Sequence, residues 1–206
     1  MERIYVSFLI AIYLFLCILN FFWFSQDFVP ISDEAYYIHY SFSVFKKLNR
    51  GWEEIWEGVL SVHPARPSFF PSFLSPLFYL SKSIHTPRFV NIFLLALLIF
   101  SVYECGKLLS TPEVGFYSAI FSLSFPGIAA FSKLFYMEFP LTCFLVTSFF
   151  FLISSRNLRK RSQTTLFSLF YGLCAITKVT FVFFSGWLLP WCWKLVKRRK
   201  IKRLIY

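Results

Sequence analysis

The stretch from Ile4 to Phe24 is apolar almost without interruption. It has about the 20 residues that a bilayer-crossing helix requires. No small-residue cleavage site follows it, and it is long for the apolar region of a signal peptide. It therefore reads as a retained anchor with its N-terminus inside. Further apolar runs follow, and 30 of the 206 residues are Phe. With 57% hydrophobic and only 15% charged residues, the chain falls outside the range of soluble domains. The expected class is an all-α polytopic membrane protein.

Charge placement sets the topology. The net charge is +11, which could point to nucleic acid. The basic residues, however, gather beside apolar runs: Arg156, Arg159, Lys160 and Arg161 in one cluster, and Lys194 to Arg203 in another. That is the positive-inside pattern of cytoplasmic loops, so no nucleic-acid partner is expected. Residues 25–88 have balanced charge and suit the opposite, outer side. Residues 194–206 form a basic cytoplasmic tail, and 1–206 is read as one membrane domain.

Within the outer loop, Ala35, Ile38, Phe42 and Phe45 recur at helical spacing, while Asp33, Tyr37 and Ser41 fall on another face. This predicts an interfacial amphipathic helix over Asp33 to Leu48, with Ser32 as N-cap. Pro67 to Leu80 is apolar but broken by Pro71 and Pro76, so it reads as an irregular or short helical segment. The second span is expected from Phe89 to about Leu109. Glu104, Lys107 and Glu113 then surround a short inner connection. Lys133 and Glu138 are costly at mid-bilayer, so 114–153 reads as a hairpin. It rises to about Phe131 and descends from Pro140, which suits a first helical turn. Thr164 to Trp193 could be one tilted helix. Two short arms meeting near Lys178 keep both basic clusters inside and are preferred. The sum is about six transmembrane or short membrane helices.

Five cysteines are scattered through the apolar runs without metal-ligand spacing, and read as small buried hydrophobes. No N-x-[ST] acceptor occurs.

Four segments in order carry a resemblance. They are the acidic pair Asp33-Glu34 with "HPARPSFFPSF" (63–73), "RFVNIF" (88–93), "YMEFPLT" (136–142) and "GLCAITKV" (172–179). Together they resemble the C-type membrane glycosyltransferases, in the branch of protein O-mannosyltransferases and lipid A aminoarabinose transferases. The chain departs from the pattern where Arg66-Pro67 is followed by Ser68-Phe69. On this resemblance the chain would correspond to the N-terminal half of such an enzyme.

The resemblance implies inverting transfer of a sugar from a polyprenyl-phosphate donor to a protein or lipid acceptor. The reaction would run on the outer face of a membrane, a bacterial cytoplasmic membrane in preference to the endoplasmic reticulum. Such chemistry needs a carboxylate to take the acceptor proton and cations to hold the departing phosphate. Asp33 is the candidate base, with Glu34 assisting or capping the helix. Glu138 is a second acid that orients the acceptor or pairs with Lys133. Arg66 and Lys178 are candidate phosphate contacts, and His63 is a weaker substrate-binding candidate. The bland alternatives are that Asp33 and Glu34 complement the helix end, Arg66 anchors headgroups, and Lys178 snorkels to the surface. Two carboxylates could share a divalent ion, but the ligand set is incomplete and neither metal nor other cofactor is assigned. The alternative function is a non-catalytic membrane protein, either a transporter subunit or a lipid-binding pseudoenzyme.

Overall fold

The structure is a computed structural model. It describes residues 1–26, 29–30, 32–48, 50, 53–54, 69–156, 158–178, 180–186 and 193. The described residues form helices and turns, with no strand among them. Helix α1 spans Glu2–Phe24 and α2 Ser32–Leu48. A short α3 (Phe69–Leu74) runs into a 3-10 turn, Ser75–Tyr79. A second 3-10 turn, Thr86–Phe89, leads into α4 (Val90–Leu109). Then come α5 (Pro112–Leu123), α6 (Pro126–Phe131), α7 (Glu138–Ser154), α8 (Arg161–Thr177) and the short α9 (Phe181–Ser185).

Among the described residues, two helical stretches are long and apolar enough to cross a bilayer, Glu2–Phe24 and Thr86–Leu109. They are antiparallel neighbours. Lys107 at the end of α4 pairs with Glu2 at 2.6 Å, and Phe24 packs edge-on to Phe89 at 5.3 Å between centroids. Helix α7 is apolar but only 17 residues long. It runs parallel to α4, held by the Ser101–Thr147 hydroxyl pair at 2.9 Å and by Phe100 against Phe150. Helix α8 is antiparallel to α7, since Ser154 donates to Gln163 at one end while Cys174 lies against Leu141 at the other.

The bundle therefore has two ends. At one, Glu2, Glu104, Lys107 and Glu113 surround the α4–α5 connection, as the charge pattern implied. Thr111 caps α5 by accepting from the Val114 N–H, and Pro112 fills the first turn, where its missing donor costs nothing. The exposed Arg156, Arg159, Lys160 and Arg161 lie at this same end. At the other end are Phe24, Arg88, Phe131, the start of α7 and the end of α8.

The α4–α5 crossing is made by glycine. A Cβ on Gly106 would stand 2.6 Å from the Gly115 Cα, and one on Gly115 would stand 2.5 Å from the Tyr103 carbonyl oxygen. Neither space exists for any other residue without the helices parting.

Three expectations are corrected. The single ascent from Val114 to Phe131 is two helices. Pro126 has no N–H to continue α5 and forces Phe125 into an extended conformation, φ −70°, ψ 122°. On α2, Ile38 and Phe45 are buried as expected, but so are Tyr37 and Ser41, assigned from sequence to the polar face. The buried stripe runs Glu34, Tyr37, Ile38, Ser41, Val44, Phe45, because a buried carboxylate at position 34 rotates the inward face toward it. Ser32 is itself the first helical residue, at φ 53°.

The break at Lys178 is real. Helix α8 ends at Thr177, Lys178 is extended (φ −158°, ψ 134°), and Phe181 packs back on Tyr171 at 4.6 Å. One continuous helix through Lys178 is ruled out.

Candidate functional site

The site lies at the end of the bundle where α2 and α3 pack against the starts of α4 and α7. Its anchor is Glu34. One carboxylate oxygen, Oε1, accepts from Arg88 Nε at 2.8 Å and from the Phe135 backbone N–H at 2.7 Å. The other, Oε2, accepts from Arg88 Nη2 at 2.9 Å. The side chains of Glu34 and Arg88 are 2% and 1% exposed. The guanidinium spends another donor, Nη1, on His85 Nδ1 at 2.9 Å; since arginine only donates, Nδ1 is the acceptor. The fork of arginine matches a carboxylate at two points, which makes this the stronger kind of charged hydrogen bond. Next to it, Asn91 Nδ2 donates to the carbonyls of Phe131 (3.3 Å) and Leu134 (2.8 Å), pinning the turn before α7.

Glu34 thus neither caps α2 in water nor stands ready as a base. It fixes α2, α4 and the 132–137 turn to one another. Asp33, one residue earlier, is half-buried in the first turn of α2.

Glu138 begins α7 and forms an ion pair with Lys178, the residue at which α8 ends. This is a correction to the proposed Lys133 partner: Lys133 instead lies over the Trp23 ring, 5.1 Å from its centroid. The pair resolves how a lysine sits at the end of an apolar helix. It is neither free in an apolar run nor snorkelling alone, because a carboxylate 40 positions earlier reaches it.

Tyr136 links the two halves of the site. Its phenol is raised above the ordinary tyrosine range, chiefly by burial, and then by the negative charges of Glu34, Asp33 and Glu138. The three carboxylates therefore act on one hydroxyl, although they come from two segments about a hundred residues apart.

The structure places Asp33, Glu34, Glu138 and Lys178 at the same end of the bundle, with Glu138 and Lys178 in contact. Arg66 and His63 lie outside the described residues. Among the described residues, no three His, Cys, Asp or Glu side chains gather as a metal site. Two members of the site went unread in the sequence, Arg88 and Tyr136. Arg88 had a usable signal: a guanidinium at the mouth of an apolar run must find a partner or water. Tyr136 had none, being one of 11 tyrosines in an aromatic-rich chain.

Chemically, the arrangement supplies a half-buried carboxylate beside a rigid ion pair, a second carboxylate, a hydroxyl and a cation. No family model matches this chain, and no curated protein or solved structure matches it.

Proposed function

We propose that this chain is an integral-membrane glycosyltransferase, or the N-terminal part of one. It would move a sugar from a polyprenyl-phosphate donor to a protein or lipid acceptor on the outer face of a cytoplasmic membrane. The observation that carries the reading is that Asp33 and the Glu138–Lys178 pair, from three separate segments, lie at one end of a bundle with an apolar exterior. Asp33 acts as the general base on the acceptor. Glu138 orients the acceptor, and Lys178 turns from Glu138 to the leaving phosphate when the donor enters. Arg66 adds a second phosphate contact. Glu34 serves through Arg88 as a positioning residue.

The membrane setting draws support from the inverted pattern of burial. Phe22, Phe93, Phe121 and Phe183 are 63–84% exposed, while Ser101, Thr147, Ser148 and Asn91 are fully buried. In water this distribution would be costly. In lipid it is the expected one, because tails solvate phenylalanine and helices associate through small and hydrogen-bonding residues. On this reading the remaining apolar helices complete about six membrane segments, and α2 lies at the interface.

A second reading, a non-catalytic lipid-binding membrane protein, is favoured by one observation: Glu34 with Arg88 and Glu138 with Lys178 are already paired. The two readings separate in an assay on membranes containing this chain together with whatever its gene encodes beyond Tyr206. Polyprenyl-phosphate-linked mannose and aminoarabinose, radiolabelled in the sugar, are supplied from the outer face. Transfer of label to protein or lipid with release of polyprenyl phosphate supports the enzyme. Donor binding without release supports the pseudoenzyme.

A further inference from the structure

A second feature is a cavity of about 210 Å³ between α1, α4, α5 and α6. Its walls are mostly aliphatic, including Leu16, Leu95, Leu123 and Ile128. Its polar members are Asn20, Ser132 and Lys133. Asn20 is 2% exposed, and its Oδ1 is buried without a hydrogen-bond partner. A buried amide oxygen left unpaired costs about 1–3 kcal/mol, which a ligand group donating to it would offset. Ser132 cannot serve, because its hydroxyl already donates to the Ala129 carbonyl. Lys133 adds a positive charge, steadied over the Trp23 ring.

We propose that this cavity holds a segment of one acyl chain of an anionic phospholipid, with the phosphate at Lys133 and a headgroup hydroxyl or amine donating to Asn20. The aliphatic walls exclude a fully hydrated ion as the occupant. The volume admits a length of one chain and not a whole lipid, which leaves the charged group at the Lys133 rim. Tryptophan beside lysine is the pairing that membrane–water interfaces favour, so the rim stands at headgroup depth. The site is separate from the Asp33–Glu138 end chemistry. It rests on the membrane reading but not on sugar transfer.

The test is native mass spectrometry of the full chain released from detergent micelles containing equal amounts of dioleoyl phosphatidylcholine and dioleoyl phosphatidylglycerol. The expected result is one phosphatidylglycerol retained in preference to phosphatidylcholine. Lys133→Gln should lower that retention about fivefold, the effect of one lysine near an anionic headgroup, and leave phosphatidylcholine unchanged. Ala129→Phe, which fills the cavity, should abolish lipid retention; helix content by circular dichroism checks that it is folded. Equal retention of the two lipids by the wild type, or unchanged phosphatidylglycerol retention in Lys133→Gln, overturns the proposal. Displacement of the lipid by millimolar inorganic phosphate alone also overturns it, since the site would then belong to a free anion. If the protein partitions into the aqueous phase on detergent phase separation, the membrane reading has failed as well. Partition into detergent without selective retention sinks this proposal alone.

Discussion

Glu34 and Arg88 stand 54 positions apart in the chain and meet in a two-point ion pair, at 2.8 and 2.9 Å, with both side chains sealed from solvent. Removing either charge strands the other in a buried site, which typically costs about 3–5 kcal/mol. Glu34→Gln and Arg88→Met should each lower the midpoint of thermal unfolding in detergent sharply. The double variant Glu34→Leu/Arg88→Met should recover much of the loss, because no buried charge remains, although the Phe135 N–H loses its acceptor. Additive losses in the double variant would show that the two groups act independently.

Gly106 and Gly115 make a second prediction. Either residue replaced by Leu drives a side chain into backbone of the facing helix, where no flexible atom can yield. The α4–α5 contact should open, with destabilisation of at least the ~1–3 kcal/mol typical of overpacking. Gly172 is the control. Nothing lies within 4 Å of its added Cβ, so Gly172→Ala should stabilise α8 by about 0.5–1 kcal/mol. The same unfolding assay reads all three.

Tyr136 reports on the convergence of the carboxylates. Burial and the charges of Glu34, Asp33 and Glu138 all oppose formation of the phenolate, so its titration lies above the ordinary value of 10.0. Asp33→Asn and Glu138→Gln each remove one negative charge and should move the transition down in pH. The measurement is absorbance near 295 nm, taken as the difference between each protein and its Tyr136→Phe counterpart. No movement on Asp33→Asn would mean that α2 does not share a site with the turn and α7.

The reading of the sequence succeeded where one local quantity decides the outcome. Apolar length gave α1 and α4, Pro140 gave the start of α7, and the charge asymmetry favoured a break at Lys178. It failed where the deciding partner is distant. Nothing local distinguishes Glu34, which is buried, from Asp33, which is half-buried; the difference is made by Arg88 and the Phe135 N–H. The same partner rotates α2 and draws Tyr37 and Ser41 inward. Pro126 was legible and passed over, because the uninterrupted apolar character of 114–131 outweighed a single residue that breaks helices. Glu138 was matched to the nearer Lys133, whereas the fold delivers Lys178.

Topology is open to direct labelling. In a cysteine-free background, Lys160→Cys and Lys82→Cys sit at opposite ends of the bundle, the first beside the basic turn after α7 and the second before the Thr86–Phe89 turn. An impermeant thiol reagent added to intact cells should label position 82 and spare position 160, by the positive-inside rule. The reverse pattern would put the Asp33 end in the cytoplasm and exclude an outer-face reaction.

The sharpest prediction sets Asp33 against its neighbour. Both are carboxylates in the first turn of α2, and Glu34 is held in a buried ion pair with Arg88. Asp33→Asn keeps the size and much of the hydrogen bonding but removes the basic group. If Asp33 is the general base, sugar transfer should fall about 10²–10⁴-fold, the usual contribution of such a group. Donor-lipid binding and thermal stability should hold. Glu34→Gln should act in the other order, losing stability first and activity only as the site loosens. Lowered temperature or a stabilising lipid should then restore turnover to Glu34→Gln, while Asp33→Asn stays inactive under every condition in which it is folded. Normal transfer by a correctly inserted Asp33→Asn protein would remove the base from the proposal. Asp33 would then be left to complement the positive end of α2.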